Sequence, residues 1–327
     1  MKQSSLIKRL LLGLLIPCAV FVILEIIAQI RGVRLFANAD SWKLFFMAVA
    51  NVTLTTFALS INLDSSRFDF SLGAVSMLSV TVAGTLSQQW GMGAWPTLAV
   101  TVAVAAALGL FHGVVYVLTR IPPIIVSLGM TLFYEGCAFA FTGGKGVSLV
   151  TRADIIGFST VSNYILVTAI AVLLVILLFD HTRFGANYHA LLSGQKIAVE
   201  TGIREVGNAL CCYAVSGALM GVVGFIALAN TGSQLMSLNF GSIGIMFTAF
   251  LPMFIGGWIG RFINKRIGMM LGAVSMALIS LAYTRFNTDS SVQSIISALL
   301  LVLFLIYLNN EFAILNKFRK KQKENAQ

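Results

Sequence analysis

The chain has 327 residues, 58% of them hydrophobic and only 10% charged, with a mean hydropathy of +0.90. A soluble domain carries roughly a quarter charged residues, and no soluble core could hide this much apolar surface, so lipid is the expected solvent. A formal charge of +10 would suggest nucleic acid in a soluble protein; here the basic residues sit in loops and tails, read as topology signals, and no nucleic-acid partner is expected.

A membrane-crossing helix needs about 20 apolar residues. After a short tail at 1–9 with Lys2, Lys8 and Arg9, ten stretches qualify in chain order: 10–30, 44–63, 70–89, 97–118, 121–142, 163–180, 207–229, 240–260, 267–285 and 291–309. The first lacks the short apolar region and small-residue cleavage site of a secretory signal, so it reads as a retained span. The runs are continuous and apolar all round, which favours helices in lipid over the alternating ten-residue strands of a barrel. The expected fold is all-α and polytopic, with about ten transmembrane helices in a domain at 10–309. A cytoplasmic loop at 181–206 and a basic tail at 310–327 complete it. Two glycine pairs, Gly109/Gly113 and Gly217/Gly221, have the spacing that lets helix backbones approach closely.

Orientation follows from the basic residues. With the N-terminus in the cytoplasm, the inside segments hold Lys2, Lys8, Arg9, Arg67, Arg120, Arg183, Lys196, Arg204, Arg261, Lys265, Arg266 and the five of 317–323, sixteen in all. The outside segments hold Arg31, Arg34, Lys43, Lys145, Arg152 and Arg285, the remaining six of the 22. Both termini are therefore expected inside. One hexapeptide, Leu72-Gly-Ala-Val-Ser-Met77, recurs as Leu271-Gly-Ala-Val-Ser-Met276. Duplicated halves, common in transporters, and chance recurrence in a restricted membrane alphabet both account for it.

No catalytic or energy-coupling constellation is visible. Gly144-Lys145 is followed by Gly146 rather than Ser or Thr, so no phosphate-binding loop is present, and HExxH and GxSxG patterns are missing. The chain is not expected to be an enzyme, and any energy must enter through a partner. Cys18, Cys137, Cys211 and Cys212 have neither zinc nor redox spacing and read as core residues; His112, His181 and His189 form no metal-binding pair, so no metal is expected.

Four segments stand out. Asp69-Phe-Ser-Leu-Gly73 opens a helical run, where Asp69 and Ser71 can cap free amides and Gly73 permits close approach; pore lining is the alternative. Gly109-Leu-Phe-His-Gly113 leads to Pro122-Pro-Ile-Ile-Val-Ser-Leu-Gly129, whose tandem prolines Pro122 and Pro123 end one helix and set a turn before the next; Ser127 and Gly129 follow within that span. Glu135 lies near mid-membrane, a costly place for an ionisable group that points to function, though a structural hydrogen bond is an equal reading; Glu25 sits nearer the outer face. The mixed-charge loop 181–206 is expected to hold a short amphipathic helix between Gly194 and Gly202, placed either to transmit a push from a partner or simply to connect.

In order and spacing these segments resemble the permease subunits of bacterial ATP-binding-cassette importers for simple sugars. That family is similar to Asp-Leu-Ser-Val-Gly at the first segment, and to Gly-x-x-Asn-Gly, Pro-Pro-Phe-Ile-x-Thr-Leu-Gly and Thr-x-Gly-Gly at the second. Here His112 replaces the asparagine and Ile124 the phenylalanine. The family's ATPase-docking pattern, Ala-x-Gly-x-Asn-x-x-Ala-Ala-x-x-x-Gly-Ile, is matched by Ala190, Ala198, Gly202 and Ile203, with Leu192, Gly194 and Ile197 departing. The resemblance implies coupling through Gly194, Lys196, Ala198, Glu200, Thr201, Gly202 and Ile203, and signature or pore residues Asp69, Ser71, Gly73, His112, Pro122, Pro123, Ser127, Gly129 and Glu135.

It also implies partners: ATPase subunits that carry the ATP and Mg, a second permease chain, and an extracytoplasmic solute-binding protein. This chain itself would bind no cofactor, and would lie in the bacterial inner membrane. The competing reading is an ion-coupled secondary transporter, with Glu135 and His112 as its candidate sites.

Overall fold

The computed structural model describes the backbone of residues 6–324 and the side chains of residues 13–310. In chain order the helices are α1 (Leu6–Ile30), α2 (Ala39–Leu63), α3 (Leu72–Trp90), α4 (Ala94–Thr119), α5 (Pro123–Thr142), α6 (Ala153–Ile156), α7 (Val161–Asp180), α8 (Arg183–Ser193), α9 (Gln195–Glu200), α10 (Glu205–Thr231), α11 (Gly244–Ile259), α12 (Lys265–Arg285) and α13 (Ser290–Glu324). Two two-residue strands, β1 (Val147–Ser148) and β2 (Ser233–Gln234), form an antiparallel ladder pairing Val147 with Gln234 and Ser148 with Ser233. The protein is an all-α polytopic membrane protein. Of the expected tails, 1–5 and 325–327 lie outside the described residues, and α13 carries the last span on to Glu324 as one helix.

Among the described residues nine helices are long and apolar enough to cross a membrane, not ten. The exception is α3, which spans the expected 70–89 stretch. It meets protein on nearly every side and so needs no lipid-compatible surface. Thirteen of its 19 residues are buried, among them Ser76, Ser79, Thr81 and Ser87. Their hydroxyls are held locally: Ser79 and Thr81 donate to carbonyls one helical turn back, 3.0 and 2.7 Å away, which makes polar residues tolerable in a dry interior.

The bundle is ordered from inside out by burial. α10 is buried over 72% of its span and α2 and α12 over 61%, whereas α1 is buried over 17% and α13 over none. The most extensive interface joins α4 and α10. There the two glycine pairs face each other: a Cβ on Gly109 would lie 2.3 Å from the Tyr213 carbonyl oxygen, and one on Gly217 2.3 Å from that of Ala105. Close backbone approach replaces the hydrophobic drive that lipid cannot supply.

Both copies of the repeated hexapeptide put their glycine against the same stretch of chain. Gly73 faces the Ser242 carbonyl just before α11, and Gly272 faces that of Pro252 within it.

Elements gather at two ends. At one, α8 and α9 lie beside the ends of α2 and α7 and the start of α12, tied by Lys265 Nζ to Asp64 Oδ2 at 2.5 Å and by the Arg266–Asp180 ion pair. At the other, the β1–β2 ladder joins two loops. Arg152 reinforces it, donating to the carbonyls of Ser87 and Met92 at 3.0 and 2.9 Å and to Asp154 at 2.8 Å. Cys212 is buried as expected, but Cys18 and Cys211 face outward, a position that lipid makes harmless.

Candidate functional site

After α2 the chain turns back into the bundle instead of staying at its end. Ser66 adopts a left-handed conformation with φ 59°, and Arg67 N donates to the Asn62 carbonyl at 3.0 Å. Asp69 and Ser71 are thereby carried inward, 3% and 0% exposed. Asp69 Oδ1 accepts from the Ser71 amide at 2.8 Å and the Ser71 hydroxyl at 2.7 Å. Asp69 thus satisfies the amide just before α3, while the N-cap residue Ser71 makes no side-chain cap hydrogen bond; its hydroxyl lies 2.9 Å from His112 Nδ1. His112 Nδ1 also lies 3.4 Å from Asp69 Oδ1. Among the described residues its Nε2 has no hydrogen-bond partner, and neither does the hydroxyl of Tyr213, whose ring centroid sits 4.6 Å from that of the imidazole.

A second irregular segment meets the first. From β2, residues 235–243 run along α3, with Ser237 N 3.3 Å from Met77 Sδ. The missing Cβ of Gly73 lets the Ser242 carbonyl come close; a Cβ there would be 2.0 Å from that oxygen. Ser242 in turn donates its amide (2.9 Å) and hydroxyl (2.6 Å) to Glu135 Oε1, while Phe240 N donates to Oε2 at 3.0 Å. Glu135, fully buried on α5, therefore satisfies three donors of a segment that is not α-helical, Ser242 lying in the single 3-10 turn Gly241–Ile243, which is how such backbone is tolerated at membrane depth. Next to it, Tyr134 donates to the Leu108 carbonyl at 2.6 Å.

Five of the expected signature residues thus form one continuous junction: Asp69, Ser71 and His112 directly, Gly73 and Glu135 through Ser242. The other four stand apart from it. Pro122 and Pro123 open α5, Ser127 donates to the Ile124 carbonyl of its own helix at 2.9 Å, and Gly129 looks into open space. Ser242, Phe240 and Tyr213 were not legible as site residues, because their partners are distant in sequence and no local pattern marks them.

The expected coupling element is α9. Ala198 is buried and anchors it, whereas Ile197 is 69% and Val199 44% exposed. Lys196, Glu200, Thr201 and Gly202 are also exposed. Gly194 separates α9 from α8, and Gly202 ends the turn with φ 93°. The preceding helix α8 was expected as loop; Thr182 caps it, accepting from Gly185 N at 3.3 Å, and Tyr188 fixes it by donating to the Ile61 carbonyl at 3.0 Å. Among the described residues no group of three or more His, Cys, Asp or Glu side chains could hold a metal ion.

The fold and site together define a polytopic helical membrane protein with a buried polar junction and an exposed helical connector at one end. Residues 43–309 match the family described as "Branched-chain amino acid transport system / permease component", and the chain belongs to that family. It is 24% identical over 205 residues to the autoinducer 2 import system permease protein LsrC of Yersinia pestis (strain Pestoides F), covering 61% of this chain and 58% of that one. To LsrC of Yersinia enterocolitica it is 24% identical over 226 residues, covering 67% and 61%. To the fructose import permease protein FrcC of Rhizobium meliloti it is 22% identical over 307 residues, covering 88% and 84%. The match thus spans somewhat over half the length of the LsrC proteins and most of FrcC. No solved structure matches.

Proposed function

We propose that this chain is the membrane-spanning permease subunit of an ATP-binding-cassette importer, carrying a simple sugar or related small polar solute by alternating access. Two relatives are named as import permeases, one for fructose and one for autoinducer 2, which supports a compact polyhydroxylated cargo. ATPase subunits would supply ATP and Mg, an extracytoplasmic binding protein would deliver the solute, and a second permease chain would complete the pathway. The sixteen-to-six division of basic residues supports an inner-membrane orientation with the α8–α9 end in the cytoplasm.

The observation that carries the reading is α9. This six-residue helix outside the apolar spans leaves an isoleucine and a valine exposed on either side of buried Ala198, uncovered apolar surface of the kind a docking element offers. Its neighbour α8 is tied through Tyr188 to α2, and Asp180 beside it is paired with Arg266 of α12. A push on α9 would therefore reach two of the most deeply buried helices. The junction of Asp69, Ser71, His112, Ser242 and Glu135 is read as the packed pivot of that motion. Glu135 is committed on both oxygens to Phe240 and Ser242, which favours a clamp over an ion-coupling site.

The test is uptake of radiolabelled monosaccharides, fructose included, into proteoliposomes. Uptake should require ATP together with ATPase subunits and an extracytoplasmic binding protein. Uptake by the chain alone, driven by a proton or sodium gradient, would establish the secondary-transporter reading instead.

A further inference from the structure

The β1–β2 end carries a feature that the transport reading does not use. α1 and α13 flank α12 without closing over it, leaving a slot of about 570 Å³. Ile279, Ala282 and Tyr283 of α12 line it, and Ile23 on one wall and Val292 on the other are 56% and 44% exposed. A hydrogen-bond contact between Tyr283 Oη and Ser297 Oγ at 3.3 Å holds α13 at this distance.

The mouth of the slot is cationic. Arg31 lines it and lies over the Phe286 ring, 5.1 Å from its centroid. Arg285 donates through Nε to the Arg34 backbone carbonyl at 3.0 Å, so residues 31–34 and 285–286, which carry three arginines, meet at this end of the slot. Among the described residues no acid lines the slot: Glu25 is on α1, Asp40 is in the first turn of α2, and Asp289 is turned to the Ser291 amide at 2.8 Å.

Depth identifies the occupant. From Arg31 to Val20 at the inner end the slot follows about three turns of α1, roughly 16 Å at 1.5 Å per residue. That is about half of a hydrocarbon core roughly 30 Å thick, the reach of one leaflet. An aqueous solute would leave these walls unmatched, and a crossing helix would continue past Val20. We infer that the slot binds one anionic phospholipid, an acyl chain between α1 and α13 and its phosphate against Arg31, Arg34 and Arg285. Acyl contact gains little over bulk lipid, so selectivity rests on the headgroup.

The probes are phosphatidylglycerol and phosphatidylethanolamine, presented to the full chain in detergent and read by native mass spectrometry. Phosphatidylglycerol should be retained one per chain and preferred over phosphatidylethanolamine. Each Arg→Gln change at 31, 34 or 285 should weaken retention about fivefold, a worth of about 1 kcal/mol per basic residue near the membrane surface, whereas Arg31→Lys should keep most of it. Val292→Trp, at an exposed position that threatens folding little, should block the slot and remove retention with all three arginines present. Equal retention of both lipids, or unchanged phosphatidylglycerol retention in the triple Arg→Gln variant, overturns the assignment. So does crosslinking of Val292→Cys to a second protein chain in native membranes in place of lipid.

Discussion

Replacing Glu135 with glutamine tests the junction at its most constrained point. The carboxylate accepts from Phe240 N, Ser242 N and Ser242 Oγ at 3.0, 2.9 and 2.6 Å in a fully buried setting. An amide offers one accepting oxygen where the carboxylate offers two. In Glu135→Gln, either Phe240 N–H or the two Ser242 donors must face an NH₂ group. A buried donor left unsatisfied costs about 1–3 kcal/mol. The segment also carries its own strain: Asn239 and Phe240 are both left-handed, with φ 57° and 66°, at roughly 1–2 kcal/mol each for side chains bearing a Cβ. With the acceptor weakened, that strain favours release.

Local opening of 237–243 should then become about 1–3 kcal/mol easier. Hydrogen exchange at the Phe240 and Ser242 amides should accelerate roughly 5- to 140-fold at 1.4 kcal/mol per tenfold, with the amides of α10 unchanged. Ser242→Ala removes only the hydroxyl bond, about 1 kcal/mol, and should accelerate exchange roughly fivefold. Unaltered exchange at both amides in Glu135→Gln would refute the clamp.

Three further perturbations follow. Gly109→Val would place a side chain about where the Tyr213 carbonyl now sits and should cost about 1–3 kcal/mol or more by overpacking; thermal unfolding in detergent should show it, while Gly129→Ala, facing open space, should change little. Gly202→Pro cannot adopt φ 93° and Glu200→Arg reverses an exposed charge on α9; both should abolish co-purification of the ATPase subunits while the chain still inserts, and normal co-purification would remove α9 from the coupling role. The Arg152 hydrogen bond holds the Asp154 carboxyl below its ordinary value. A depressed acid contributes its link above the unfolded value and loses it as pH falls through the folded one. Exchange of 147–157, corrected for intrinsic rates, should therefore rise in strong acid, and Arg152→Gln should erase that pH dependence.

Much of the fold was legible because lipid simplifies the code. Continuous apolar runs became helices, and the pairs Gly109/Gly113 and Gly217/Gly221 became part of the most extensive interface, where only glycine permits so close an approach. The short helix between Gly194 and Gly202 also stood out, bounded by residues that break helices. What escaped notice depends on distant partners. α3 passes for an ordinary span until its neighbours are placed. α8 is anchored by Tyr188 to a carbonyl 127 residues away, and the 235–243 segment is held by Glu135, more than a hundred residues upstream. Asp69 and Ser71 read as caps from local sequence, and only the inward turn of the chain brought His112 to the Ser71 hydroxyl.

Sidedness of α9 is the most direct check on the whole account. Ile197→Cys, in a background lacking the exposed Cys18 and Cys211 as well as Cys137 and Cys212, would be treated with a membrane-impermeant maleimide. The prediction is no labelling in intact cells and full labelling once the inner membrane is permeabilised. Labelling in intact cells would put α9 on the wrong face for an ATPase and contradict the account.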